Sequence, residues 1–88
     1  MPKKNKPVDI DDLFEDLDES LDYAEFASLE RRDPRLAQRL TRLVEAGATP
    51  KRIAMHIVDT RPHKWVEAQS IFAAARHLAR GVVNEAVL

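Results

Sequence analysis

Two pairs of a capping residue followed by proline, Asp33-Pro34 and Thr49-Pro50, divide the chain into segments whose apolar residues recur at helical spacing. Asp and Thr side chains cap helix N-termini, and proline suits the first helical position because the N–H it lacks has no partner there. Gly47 is a favourable stop before the second pair, and Pro62 marks a further break. No stretch keeps the period of two that a strand needs, so we predict an all-α bundle of about four helices.

The apolar spacing assigns most of the chain to these helices. With 88 residues, the chain has the size of one small domain. The predicted parts are a flexible basic tail over 1–7 and a single helical domain over 8–88, itself made of an acidic amphipathic helix over 8–32, a basic helical core over 34–80 and a C-terminal tail over 81–88. Within the core we expect helices over 34–46, 50–58 and 63–80. Gly81 either ends the last helix or lets it continue.

Charge is distributed very unevenly, although the net charge is only -1. Residues 8–30 contain ten acids and no Lys or Arg, whereas residues 31–80 contain eleven Lys and Arg against four acids. Like charges along one helix repel each other, so the acidic helix is expected to need a basic neighbour. The molecule is therefore electrically two-ended, and an anionic partner is expected for its basic part.

Composition excludes several classes of protein. Hydrophobic residues make up 44% and charged residues 33%, which argues against a wholly disordered chain. There is no cysteine for a disulfide or a thiolate zinc site, and no apolar run approaches the ~18 residues of a membrane span. Two glycines cannot form a phosphate-binding loop, and the three histidines lack metal-ligand spacing. We expect a cytoplasmic, non-enzymatic protein without metal, cofactor, small-molecule substrate or membrane contact.

The stretch "GATPKRIAMHIVDTRPHKW", residues 47–65, links two capped helix starts and carries several basic side chains. Together with its neighbours over 34–80 it loosely resembles helix-turn-helix modules, and the resemblance implies that the helix after the turn enters the DNA major groove. The chain departs from that pattern because no glycine follows Ala54 and Pro62 stiffens the connection. A helical corner that touches no nucleic acid is the alternative.

Basic side chains fall into three groups that are candidates for nucleic-acid contacts. One edge of the last helix, the two turns, and a stripe at i, i+4 and i+7 of the preceding helix supply them. The candidates are Gln69, Arg76 and Arg80 on the edge, Lys51, Arg52, Arg61 and Lys64 at the turns, and Arg35, Arg39 and Arg42 in the stripe.

The acidic helix supplies the candidates for a protein interface. They are Asp11, Asp12, Leu13, Glu15, Asp16, Leu17 and Asp18, with Trp65 added from the basic part. The acids either dock on the chain's own arginine stripe, within one chain or across a dimer, or mimic a phosphate array on the basic surface of another protein. Trp65 either packs in the core against Phe72 and Ile57 or anchors an interface.

These patterns lead to two hypotheses of function. The first is a small non-enzymatic nucleic-acid-binding or regulatory protein, with DNA rather than RNA as the expected polymer, whose acidic helix mediates assembly or docking. The alternative is a protein-protein adaptor or inhibitor, of the kind that phages and mobile elements encode, whose acidic helix binds a host protein complex. A homodimer formed through Leu13, Phe14, Leu17 and Leu21 is a third possibility.

Overall fold

A computed structural model describes residue 14 and residues 16–87, with side chains up to residue 81. A 3-10 turn over Glu19–Leu21 leads into helix α1, Asp22–Arg32, and helix α2 follows over Pro34–Glu45. Helix α3 spans Pro50–Thr60, a second 3-10 turn spans Pro62–Lys64, and helix α4 spans Trp65–Val87. There is no strand in this part of the chain. The predicted all-α bundle of about four helices is confirmed.

Both predicted helix starts are present with their caps. The Asp33 carboxylate accepts a hydrogen bond of 3.2 Å from the backbone N–H of Leu36, and Pro34 occupies the first turn of α2. In the same way, the Thr49 hydroxyl accepts a hydrogen bond of 3.2 Å from the backbone N–H of Arg52 at the start of α3. The positions of α2 and α3 therefore follow from local sequence.

Gly47 ends α2 in the way its position predicts. Its φ of +106° lies in the left-handed region, which residues with a Cβ rarely adopt. The N–H of Gly47 donates to the Val44 carbonyl, and the N–H of Ala48 donates to the Leu43 carbonyl, both at 3.0 Å. This pair of bonds is the Schellman motif, which satisfies the last carbonyls of the helix.

Helix α4 lies at the centre of the bundle. It packs against α1, α2 and α3, while α2 and α3 pack on α4 rather than on each other. The five consecutive residues Ile71–Ala75 are all buried. Because successive residues of a helix are about 100° apart, five buried neighbours mean that the middle of α4 is covered on every side.

The core consists of two clusters on either side of this central helix. The first joins α1, α2 and α4 through Leu29, Ala37, Leu40, Val44, Ile71, Ala74 and Ala75. The second joins α3 and α4 and is completed by Phe14, whose side chain is fully buried. The Phe14 ring lies 5.0 Å from the ring of Trp65 and 5.2 Å from that of Phe72, centroid to centroid. Phe14, which precedes the first 3-10 turn, thus belongs to the core.

The prediction of one acidic helix over 8–32 is wrong in the described part. Asp18 has an extended backbone, with φ -64° and ψ 114°, so Phe14 and α1 do not share a helix. The Asp18 carboxylate accepts hydrogen bonds from the backbone N–H of Ser20 at 3.0 Å and from its hydroxyl at 2.8 Å. Asp and Ser side chains compete with the helical backbone in this way, which explains the break.

The other boundaries differ less from the predicted ones. Helix α3 ends at Thr60 because a residue before proline avoids the helical region, and Arg61 is extended, with φ -143°. Helix α4 continues through Gly81 to Val87, so most of the predicted C-terminal tail is helical. The predicted tail over 1–7 lies outside the described residues. Within the described ranges, no helix has both the length and the apolar character needed to cross a bilayer.

Candidate functional site

A buried ion pair joins the acidic and basic parts of the chain. Asp22, at the start of α1, is 1% exposed and accepts two hydrogen bonds from Arg76 of α4, 2.7 Å from Nε and 2.9 Å from Nη2. The Arg76 Nη2 also donates to the Leu17 carbonyl at 3.0 Å, and its guanidinium carbon lies 5.0 Å from the centre of the Phe72 ring. Such a two-pronged contact is the strongest geometry that an Arg and a carboxylate can form.

Arg80 extends this pair towards the surface. Its Nη1 lies 3.0 Å from the Asp22 Oδ2, and its Nη2 lies 2.8 Å from the Glu19 Oε1. The hydrogen bond to Asp22 raises the pKa of Arg76 above its usual value, against the opposing effect of partial burial. Among the described acids, Asp22 and Glu19 are therefore paired with α4, and not with the Arg35, Arg39 and Arg42 stripe that the sequence suggested.

These contacts engage, within the chain itself, two arginines that the sequence assigns to nucleic-acid contact. The Arg76 side chain is only 14% exposed and its fork is occupied, and Arg80 bridges two carboxylates. Gln69 is half-buried, and the middle of α4 is covered on all sides. The middle of α4, Ile71–Ala75, therefore offers no open face to a DNA groove, whereas Val66 near the start of the helix is 72% exposed.

A groove of about 800 Å³ opens where α2 and α3 diverge above the start of α4. It exists because both helices pack on α4 and not on each other. Its floor is apolar and consists of Leu36, Leu40, Leu43, Ile53, Ile57 and Ile71. Leu43 is 42% exposed, so part of this apolar floor is in contact with solvent.

Four cationic side chains surround the groove. Arg39 comes from α2, Arg52 from α3, and Arg61 and Lys64 from the turn between α3 and α4. Glu67 is the one acid in the lining among the described residues, and its Oε1 lies 3.3 Å from the Lys64 Nζ. The rim thus keeps a clear excess of positive charge over an apolar floor.

The structure brings together some of the predicted basic residues and separates others. Arg39 joins the groove, whereas Arg35 and Arg42 line a different depression on α2, beside Glu30 and Glu45. Lys51 lies in a third depression with Glu19 and Arg76.

The groove residues that sequence reasoning missed are His56 and the floor leucines. The sequence does indicate the floor leucines. Leu36 and Leu43 widen the apolar face of α2 beyond the buried Ala37, Leu40 and Val44, so this face is broader than packing against a single neighbour requires.

The predicted protein-interface residues have mixed outcomes. Asp11, Asp12, Leu13 and Glu15 lie outside the described residues. Asp16 and Asp18 are exposed, and the two hydrogen bonds from Ser20 lower the pKa of Asp18 below its usual value of 3.8. Leu17 is half-buried against the second cluster. Phe14 is enclosed in that cluster, so it cannot pair with a second copy as the homodimer interpretation requires.

Trp65 takes up the core position that is one of the two predicted from its sequence. It is half-buried and packs against the second cluster, which includes Phe72 and has Ile57 at its edge. Its closest aromatic neighbour is Phe14, which the sequence did not suggest. The indole is therefore mainly a core contact that stays partly exposed.

The histidines do not come together. His56 lines the groove, and His63 is exposed in the second 3-10 turn. His77 packs between aromatic rings, 5.3 Å from Tyr23 and 5.4 Å from Phe26. No group of three or more potential metal ligands is found among the residues that the structure describes.

Comparison with known proteins gives no match: no family model, no curated protein and no solved structure is significantly similar to this chain.

Proposed function

We propose that this chain is a small non-enzymatic binding protein that takes an acidic amphipathic segment of a partner protein into the groove between α2 and α3. The observation that carries the proposal is the partly exposed apolar floor surrounded by Arg39, Arg52, Arg61 and Lys64. A helix with apolar residues on one face and carboxylates along its edges matches both features. This is the helix-in-groove mode of peptide recognition.

The dimensions of the groove support a helical ligand. Helix α3 has 11 residues and is therefore about 16 Å long, which corresponds to about three turns of a helix lying alongside it. Apolar side chains of that ligand would remove the floor from water at about 25 cal/mol per Å². Each rim cation adds ~0 to 1 kcal/mol, because these pairs remain exposed to solvent. Affinity then comes mostly from the floor, and selectivity for acidic ligands from the rim.

A labelled peptide tests the proposal. The probe is a helix-forming peptide of about 14 residues, with leucines at helical spacing and glutamates elsewhere, and fluorescence anisotropy reports its binding. Its matched control replaces every glutamate with lysine. We expect the glutamate peptide to bind and the lysine peptide to bind at least tenfold more weakly, a difference of about 1.4 kcal/mol.

Charge reversal in the protein completes the experiment. Arg52→Glu with Arg61→Glu removes two attractions and adds two repulsions, so we expect a loss of about 2 kcal/mol, or about thirtyfold in affinity. Arg31→Glu with Arg32→Glu is the matched control, since both residues are exposed at the end of α1, outside the groove. Equal losses in the two variants, or equal binding of the two peptides, would contradict the proposal.

A second candidate function is nucleic-acid binding along α2. Its support is that no carboxylate of the described residues lies within ion-pair distance of Arg35, Arg39 or Arg42. Three arginines within one arc of a helix can contact successive phosphates. A DNA duplex of about 20 base pairs, and RNA of the same sequence, should then bind at low salt and dissociate steeply as salt rises. Arg35→Glu with Arg42→Glu should weaken DNA binding and leave the peptide affinity unchanged. An unchanged DNA affinity would remove this candidate.

A further inference from the structure

We propose that the groove also binds the acidic turn of a second copy of this chain, residues 16–23, so that self-association competes with the acidic partner. This inference rests on the proposed function, because it assigns a particular ligand to the same groove. The acidic turn has the sequence "DLDESLDY"; it follows Phe14 and includes the first two residues of α1.

The acidic turn has the complementary chemistry to the groove. Leu21 is 52% exposed and Tyr23 is 67% exposed, so two large side chains project into solvent beside the exposed carboxylates of Asp16 and Asp18. The groove has the inverse arrangement, with an apolar floor inside a cationic rim. An apolar surface edged by carboxylates can pair with an apolar surface edged by cations, because opposite charges then face each other across the contact.

The ligand must come from a second molecule because the acidic turn is held in place within its own chain. Arg76 binds the Leu17 carbonyl inside the turn and the Asp22 carboxylate near its end. These contacts attach the turn to α4 through Arg76, a residue that does not line the groove. The turn therefore cannot enter its own groove without breaking the buried Asp22–Arg76 pair.

The pairing of turn and groove sets the symmetry of the assembly. Each turn-groove contact joins two different surfaces, so the assembly is isologous if the exchange is reciprocal and heterologous if it is not. It closes into a two-fold dimer when each copy inserts its turn into the groove of the other, which doubles the contact. Without closure, the same contact forms open chains. In either case an acidic partner that occupies the groove displaces the second copy, and dilution of the protein frees the groove.

Sedimentation velocity over a range of concentrations at low salt tests the inference. We expect the wild-type chain to associate, and we expect Asp16→Lys with Leu21→Lys to weaken association at least tenfold. Both side chains are exposed, and neither makes a described hydrogen bond or ion pair. Glu30→Lys with Gln38→Lys changes the net charge equally at exposed positions outside the turn and groove, and should associate like wild type.

The charge swap gives the decisive comparison. Arg52→Glu with Arg61→Glu should weaken association as strongly as the turn variant, and the chain with all four substitutions should recover it, because the opposite charges again face each other. Circular dichroism establishes that each variant is folded. Wild-type association that the turn variant retains, or that the four-substitution chain fails to recover, would overturn the inference.

Binding of the labelled glutamate peptide distinguishes a failure of the self-association inference from a failure of the proposed function. A monomeric wild-type chain that binds the peptide overturns self-association alone. A monomeric chain that binds neither the peptide nor itself overturns both. The turn variant should keep its peptide affinity, since its groove is unchanged.

Discussion

Replacement of Arg76 by methionine should destabilise the fold strongly, because it leaves the carboxylate of Asp22 buried with one partner fewer. Asp22 is 1% exposed and receives two of its hydrogen bonds from Arg76. Methionine retains much of the apolar length of the arginine stem, so the change tests mainly the loss of the guanidinium.

The magnitude follows from the burial of the pair. Removal of one partner from a buried ion pair costs about 3 to 5 kcal/mol. Arg80 still contacts Asp22 at 3.0 Å, so we expect a value near the lower limit, about 3 kcal/mol. Arg35→Met is the matched control, since Arg35 is exposed and its replacement should change the free energy of unfolding by no more than about 0.5 kcal/mol.

Urea unfolding at neutral pH, followed by circular dichroism, measures both variants. The loss should appear as a lower midpoint with an unchanged slope. Asp22→Leu combined with Arg76→Met should be less destabilised than the sum of the single changes, because no unpaired charge remains buried. If Arg76→Met and Arg35→Met differed by less than about 0.5 kcal/mol, Arg76 would behave as a surface residue and the reasoning would be refuted.

Three further outcomes test the fold itself. Phe14→Ala should lower the free energy of unfolding by about 3 to 5 kcal/mol in urea titrations, because the ring is fully buried, and a loss below about 1 kcal/mol would place it outside the core. Gly47→Ala should cost about 1 kcal/mol or more through its φ of +106° alone, since no atom lies within 4 Å of the added Cβ, and an unchanged midpoint would argue against that turn. The Asp18 carboxyl should titrate below its usual pKa of 3.8 in NMR measurements, so the contribution of its cap is complete above that pH and is lost as the pH falls through the lowered value; in Ser20→Ala that pKa should rise.

Features that depend on neighbouring residues were predictable from the sequence. The caps at Asp33 and Thr49 and the stop at Gly47 each involve contacts within a few residues, so their sequence patterns are sufficient. The break at Asp18 is equally local. It was missed because the apolar spacing continues across it, and the Asp18 and Ser20 side chains provide the signal for the turn.

Features that depend on tertiary packing were not predictable. The acidic part needed a basic neighbour, but nothing in the spacing distinguishes Arg76 from the arginines of α2 as the partner of Asp22. The central position of α4 decides this, because it removes Arg76 from the surface. The groove likewise depends on how far α2 and α3 diverge above α4, a distance that neither helix encodes alone.

An NMR titration of the isotope-labelled chain with the leucine-glutamate peptide tests the central claim most directly, because backbone amide shifts locate the bound ligand. We predict that the largest shift changes occur along one side of α3 and the following turn, at residues such as Ile53, Ile57 and Arg61, with smaller changes at Leu43. Changes confined to the Arg35 and Arg42 surface of α2, or no change at saturating peptide, would contradict the assignment of the groove as the binding site.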